Sequence, residues 1–290
     1  MAFHRVAIIG TGLIGGSFGL AVRKHFPEAV VVGFDREEVL QRALARGAVH
    51  EASAELADAV RGADLVFIGL RIGTAIELLP AIAAAASPNA LVTDACSAKA
   101  MVCSAAKTHF ATGARFLGGH PMAGKEKSNI ENADAELFAG APYALIGSEA
   151  DPDPRLREFA DLLRAIGAKP VWCDIDTHDW AVGIVSHLPQ LVAVALARVV
   201  QDETDETGLP LSLAGTGLRD MLRLAGSPYS VWRDILIANR DNIVHALDRL
   251  SQNIDHLRTN LSRKELEEEF RAANDLFNAR YPNHGKSQPQ

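Results

Sequence analysis

Apolar positions in roughly the first 170 residues fall into short β-branched runs separated by Ala-rich stretches of helical period. The runs Val6 to Ile9, Val30 to Phe34, Leu65 to Ile68, Leu91 to Thr93 and Ala144 to Ile146 predict strands. Residues 13–25, 37–46, 53–61, 74–85 and 97–109 predict helices between them. Strand-helix alternation of this kind predicts a parallel sheet covered on both faces. Beyond residue 174 the strand pattern stops, and helical patterns run over Asp176 to Asp202, 208–225, 228–257 and 262–280. The textures divide the chain into an α/β region, 1–172, an all-helical region, 173–282, and a short tail, 283–290, with no apolar periodicity, expected to fray. Ser262-Arg-Lys-Glu265 before Leu266 fits a capping box, with Leu261 and Leu266 able to staple the turn.

Composition narrows the class. The chain has 290 residues, about twice the ~150-residue prior for one domain, so two domains are expected. With 48% hydrophobic and 22% charged residues it is neither disordered nor low in complexity. A balance of 29 basic against 36 acidic side chains discourages a nucleic-acid-binding role. Three cysteines without metal-type spacing, and a start that runs straight into a strand without a secretory pattern, point to the reducing cytoplasm. The uncharged run Trp180 to Ala197 approaches the length of a membrane span but carries Ser186, His187, Pro189 and Gln190. It is expected to be a buried core helix, and no membrane is implied.

Gly10-Thr-Gly12-Leu13-Ile14-Gly15-Gly16 follows the first strand and opens a helix. In that context the glycines permit a tight turn, close approach of a pyrophosphate, and tight helix-on-strand packing, with phosphates meeting the helix N-terminus. Two adjacent glycines in a helix's first turns cost about 1 kcal/mol each relative to Ala, an odd choice if packing were the only concern. Asp35 ends the next strand, 25 residues after Gly10, where it would accept from ribose hydroxyls and repel a 2′-phosphate. NAD is therefore expected, while the adjacent Arg36 leaves NADP open.

Four further stretches could carry chemistry, and each has a purely structural alternative. Ser97 lies just past a buried strand, where ligands bind in open α/β sheets, but Asp94 or Ser97 could simply cap a helix. His120 sits between glycines and Pro121, which favours an extended backbone; it could be a general base or an incidental turn residue. His187 precedes Pro189 inside the most apolar helix and could be an ordinary core histidine. Arg219, Asp220 and Arg223 fall within about one helical turn, either as surface ion pairs or as an arginine braced by a carboxylate to clamp another carboxylate. No metal is expected, since the His and Asp spacing suits none.

Taken in chain order, these stretches resemble one family, the prephenate/arogenate dehydrogenases of tyrosine biosynthesis. The matching segments are Val6 to Ser17, Asp94 to Lys99, Gly119-His-Pro-Met-Ala-Gly-Lys-Glu-Lys-Ser128, Ser186-His-Leu-Pro189 and Gly217-Leu-Arg-Asp-Met-Leu-Arg223, followed by Pro228, Trp232, Asp234 and Asn239. The resemblance implies an α/β Rossmann-type doubly wound parallel sheet followed by an all-α dimerisation domain. It also implies a homodimer, NAD as cofactor, an active site between the domains, and oxidative decarboxylation of a cyclohexadienol. On that resemblance His120 takes the hydroxyl proton and Ser97 bonds the hydroxyl or orients His120. Arg223 binds a substrate carboxylate with Asp220 positioning it, and His187 and Gln190 line the pocket. Gly10, Gly12, Leu13, Ile14, Gly15, Asp35 and Arg36 hold the nucleotide.

Two departures bear on substrate choice. Gln190 stands where many members have a second histidine, and Arg71 where a proline is common. Loss of that histidine would penalise arogenate's ammonium less, but Gln190 can bond a keto acid and Arg71 would restore positive charge at the pocket mouth, so prephenate is put ahead of arogenate. The related β-hydroxyacid dehydrogenases use a lysine on the inter-domain helix, and Asp174 to Glu206 contains none. A non-catalytic NAD sensor would need neither His120 nor Arg223. The two regions consume the chain, so any control is expected to act at the active site.

Overall fold

The computed structural model describes residues 3–125, 129–204, 206–262, 264 and 266–281. Strands β1 (Arg5–Ile9), β2 (Val30–Phe34), β3 (Glu51–Ala52), β4 (Leu65–Ile68), β5 (Leu91–Asp94) and β6 (Arg115–Leu117) form one sheet in the order β3-β2-β1-β4-β5-β6. All its pairings are parallel. Helices α1 (Leu13–His25), α2 (Glu37–Ala45), α3 (Leu56–Val60), α4 (Ile72–Ala85) and α5 (Ala100–His109) are interleaved with these strands. This is the doubly wound arrangement expected. Side chains alternate across β1: Val6 and Ile8 enter a core with Phe18, Phe67 and Phe159, while Ala7 and Ile9 enter another with Val66, Ile68 and Val92.

A second sheet was not foreseen. β7 (Gly119–Pro121) pairs antiparallel with β8 (Pro142–Ile146), which pairs parallel with β9 (Lys169–Cys173). The segment Ala144–Ile146, expected in the main sheet, thus belongs elsewhere, and Tyr143 and Leu145 pack into the Phe18 core. β6, β7 and β9 carry too short or too mixed an apolar pattern to stand out in sequence, whereas α6 (Pro154–Ala165), with Leu156, Phe159, Ala160 and Leu163 at helical spacing behind Asp153-Pro154, was legible and was passed over.

The helical patterns are more broken than expected. Asp176 to Asp202 divides into α7 (Ile175–Val182), a π-helical turn at Gly183–His187, and α8 (Leu188–Asp202). The π turn lies just before Pro189, whose missing N–H and bulky ring disturb the preceding turn. Residues 208–225 contain α9 (Leu209–Ser212) and α10 (Thr216–Leu222), and 228–257 breaks at Asn239 between α11 (Tyr229–Ala238) and α12 (Arg240–Thr259). The last helix, α13, spans Leu266–Arg280. Leu261 is 75% exposed, so the hydrophobic staple does not bury it. Arg263 and Glu265 of the expected capping box, and the tail from residue 282, lie outside the described residues.

The run Trp180 to Ala197 is not the buried core helix expected. Val185 is 65% exposed and Val194 is 47% exposed, and the 28-residue stretch Ile175–Asp202 is long and apolar enough to cross a membrane by length and composition. The chain forms two compact units, Met1–Ile243 and Val244–Gln290. The first therefore includes the helices from α7 to α11.

Candidate active site

Strand register brings three loops to one place. Ile9 pairs with Ile68, and Ile68 with Asp94, so Gly10, Gly69 and Ala95 all leave the carboxyl ends of adjacent strands at the same level. Between β1 and β4 the strand order reverses, which is where open α/β sheets bind ligands. Gly10 has φ +95°, and a Cβ there would stand 2.8 Å from the Gly69 carbonyl oxygen. A Cβ on Gly15 would lie 1.9 Å from the Gly10 carbonyl oxygen, so only glycine lets α1 start this close to the turn. Gly16 has a packing reason of its own: a Cβ would meet Ile130 at 2.3 Å. The adjacent glycines are thus demanded by packing, contrary to the sequence argument. Gly12 caps α1 without a side-chain hydrogen bond, leaving the first N–H groups of the helix facing a cleft lined by Gly12, Leu13 and Ile14. This cradle fits a pyrophosphate.

Asp35 reaches back to the turn. Its Oδ2 accepts from the Thr11 N–H at 2.7 Å and its Oδ1 from the Arg36 N–H at 2.7 Å. Asp35 and Arg36 are not among the residues lining the cleft; the Arg36 side chain is exposed, 3.8 Å from Glu38. The nucleotide-side cleft has a volume of about 320 Å³ and also borders Arg71 and Ser97. Arg71 starts α4 and donates to Ser230 Oγ at 3.4 Å. It lines this first cleft, beside Ser97, and is not among the residues lining the cleft that holds His120.

A second cleft of about 380 Å³ shares Ser97, Ala123, Gly124, Lys125 and Val231 with the first. It brings together Ser97, His120, His187, Gln190 and Arg223, five of the six residues expected to perform chemistry or bind substrate. The sixth, Asp220, is elsewhere: it is 74% exposed at its side chain and 3.7 Å from Arg219 Nε. All residues lining the cleft belong to the first compact unit. Glu126, Lys127 and Ser128 of the histidine motif lie outside the described residues.

His120 is 7% exposed, on β7, and is held by residues that sequence reasoning passed over. Its Nδ1 is 3.0 Å from His178 Nε2, and His178 Nδ1 is 2.7 Å from Asp179 Oδ1. A carboxylate accepts only, so His178 donates from Nδ1, and in the neutral ring its Nε2 then carries the lone pair. His120 then donates its Nδ1–H to that lone pair, which leaves His120 Nε2 unprotonated. Asp179 also accepts from the backbone N–H groups of Lys99 at 2.8 Å and Ala100 at 2.9 Å, capping α5 from a helix 80 positions away. Neither Asp94 nor Ser97 caps that helix. Instead the fully buried Asp94 pairs with the equally buried Lys99, whose Nζ donates to the Gly119 carbonyl at 2.6 Å; Asp94 accepts the Gly119 N–H at 3.1 Å. This ion pair pins the strand residue next to His120.

Electrostatics follow from these contacts. Burial, then His178, Lys99 and His187, hold His120 well below the usual histidine range, so it is a neutral base near pH 7. Burial is also the main reason His187 is pushed down to about 4. For Asp179, burial opposes ionisation, but the hydrogen bonds from His178, Lys99 and Ala100 outweigh it and keep the carboxylate below its ordinary value. A neutral imidazole with a free Nε2, a hydroxyl, an arginine and a nucleotide-fitting turn in continuous clefts could remove a proton from an alcohol as hydride departs. His178 and Asp179 had a weak signal in the sequence: they end the polar run Asp176-Thr-His-Asp179 immediately before the apolar stretch that starts at Trp180.

Comparison with known proteins gives the same direction. The family described as prephenate dehydrogenase, nucleotide-binding domain, matches residues 18–172, and that described as prephenate dehydrogenase, dimerization domain, matches residues 174–274. A prephenate dehydrogenase from Lactococcus lactis is 33% identical over 263 residues, covering 90% of this chain and 72% of its own length. The crystal structure of prephenate dehydrogenase from A. aeolicus in complex with hydroxyphenyl propionate and NAD+ superposes with a TM-score of 0.86 at 27% identity, covering 97% of this chain and 99% of that one. The Synechocystis arogenate dehydrogenase structure has a TM-score of 0.78 at 28% identity, with the same coverage. With two domain matches in order, and relatives similar over nine-tenths of its length, the chain belongs to the prephenate dehydrogenase family.

Proposed function

We propose that the protein catalyses the NAD-dependent oxidative decarboxylation of prephenate to 4-hydroxyphenylpyruvate and CO2. The observation that carries this reading is His120, a buried, neutral imidazole with an unprotonated Nε2, lining a cleft continuous with the glycine turn. Gly10, Gly12 and Gly15, with the N–H groups of Leu13 and Ile14, would hold the pyrophosphate, and Asp35 and Arg36 the adenosine end. Bound there, NAD+ supplies the hydride acceptor.

In this reading His120 Nε2 accepts the ring hydroxyl proton while the carbon bearing that hydroxyl loses hydride. Ser97 hydrogen-bonds the same hydroxyl. The ring carbon–carboxylate bond then breaks, its electron pair enters the ring, and the oxygen recovers the proton from His120 as CO2 leaves. Arg223 binds a substrate carboxylate, and His187 and Gln190 bind the polar side chain. Asp220 lies outside the cleft, 3.7 Å from Arg219 Nε, and is given no role in this reading.

Reading the substrate as arogenate rests on Gln190, 4% exposed, which places an uncharged amide where many members have a histidine. Steady-state rates with prephenate and with arogenate, followed by NADH absorbance, separate the two. Absence of turnover with both would overturn the assignment as an enzyme of this class.

For assembly, the reading is a cytoplasmic homodimer formed through a helical region of residues 173–282, following a nucleotide-binding domain of residues 1–172. Its support is the match to a dimerization domain together with apolar side chains left in solvent, among them Val194, Val199 at 57% and Ile237 at 64%.

A further inference from the structure

The cleft's second histidine, His187, has an environment that defines what it can bind. It is fully buried in the π turn, its ring edge-on to Trp232 with centroids 5.9 Å apart. Its Nδ1 is 3.1 Å from Asn239 Nδ2, and its Nε2 is a buried nitrogen with no partner among the described residues.

The orientation of Asn239 is unambiguous. Its Nδ2 is 2.7 Å from the Asp179 backbone carbonyl, which can only accept, and its Oδ1 accepts from Asn242 Nδ2 at 2.8 Å. A flipped amide would set oxygen against oxygen. Asn239, 3% exposed, therefore spends one N–H on Asp179 and the other on His187 Nδ1. His187 must then carry its proton on Nε2, a buried donor needing an acceptor from a ligand.

We propose that Asn239 is a positioning residue that fixes His187 as a neutral Nε2–H donor, so that this part of the cleft takes an oxygen acceptor, a carboxylate or keto oxygen, and not an ammonium. Both histidines are set from Asp179, in opposite senses. Its side chain, through His178, leaves His120 a lone pair, and its backbone carbonyl, through Asn239, leaves His187 a donor. The cleft thus offers one acceptor for the hydroxyl being oxidised and one donor for an oxygen elsewhere on the same molecule. The polarity at Arg223, which lines the same cleft, is of the same sign.

The inference rests on the cleft being a prephenate site, but its first test does not depend on turnover. Imidazole 15N NMR of the full-length protein at neutral pH should show His187 as the neutral Nε2–H tautomer. An Nδ1–H tautomer or an imidazolium overturns the proposal whatever the activity. The second test is kinetic. Asn239→Leu should raise KM for prephenate about tenfold or more, the loss expected for a hydrogen bond to a charged acceptor, and change kcat far less. In a His187→Gln background, where the amide supplies an N–H regardless of tautomer, adding Asn239→Leu should cost less than threefold, so that the two positions are coupled by at least about 0.7 kcal/mol. An equal KM penalty in both backgrounds means that Asn239 acts only on the fold, and the proposal fails. Should Asn239→Leu not fold, the wild-type tautomer decides alone. If the tautomer is as expected but no cyclohexadienyl substrate turns over, the substrate reading fails and the assignment of His187 as a donor stands.

Discussion

His120 illustrates how a few contacts fix the protonation of an imidazole. Burial and three neighbouring cationic or cation-forming groups keep it neutral, while His178 directs its lone pair to Nε2. Replacement of His120 by Asn should lower kcat by ~10²–10⁴ with little change in KM, since proton transfer matters in the transition state; near-normal turnover would place the base elsewhere. Because the folded value lies well below ~6.5, the acid limb of kcat/KM should fall only at a pH well under that of a free histidine. A midpoint at or above 6.5 would contradict the burial argument. His187 adds a stability effect with a definite sign. The unfolded chain takes up this proton near pH 6.5 and the folded one only near 4, so stability is lost as pH falls between those values. The loss is on the order of 3 kcal/mol at ~1.4 kcal/mol per pH unit, readable as a drop in urea midpoint that His187→Gln makes shallower. His120 and His187 themselves stood out in the sequence. Their protonation did not, because it depends on Asp179 and Asn239, which lie 59 and 52 positions away respectively.

Secondary-structure elements matter here through their ends. α5 begins at Ala100 rather than at 97 because a carboxylate from α7, not a local side chain, satisfies its first N–H groups. The same segment carries Lys99, which with Asp94 clamps Gly119 and hence β7. Lys99→Met should therefore destabilise the fold by ~3–5 kcal/mol in chemical denaturation, the cost of leaving one member of a buried ion pair alone. A loss below about 1 kcal/mol would show that Asp94 finds another partner. At the other loop, Gly15→Ala would force its methyl onto the Gly10 carbonyl. It should weaken NAD+ binding at least tenfold in a direct titration, because α1 could no longer start at the turn. The main strands and α1 were legible because buried β-branched runs and a glycine turn leave a local signal. β7 was not, being three residues of Gly-His-Pro whose strand pairing is supplied by β8. Pro189 marks the place of the π turn in the sequence, but not its form.

For the protein as a whole, the apolar positions that looked like core in the sequence have two destinations. Those of the α/β part fill cores on both faces of the main sheet, whereas many along α8 and α11 remain in solvent in a single chain. If that surface joins two copies, Val199→Glu should convert a dimer to a monomer in sedimentation experiments at micromolar concentration. A wild-type monomer there would remove the basis for the proposed assembly. What the linear chain made legible was the α/β-then-helical order, the glycine turn after β1 and five side chains that line one cleft, because periodicity, glycine chemistry and motif order are local properties. Tertiary structure alone decided the rest. It set Asp220 beside Arg219, outside the cleft, and it joined Asp179 to both histidines. Proton positions and charge pairing depend on distances of about 3 Å between residues tens of positions apart, and only the folded chain sets those.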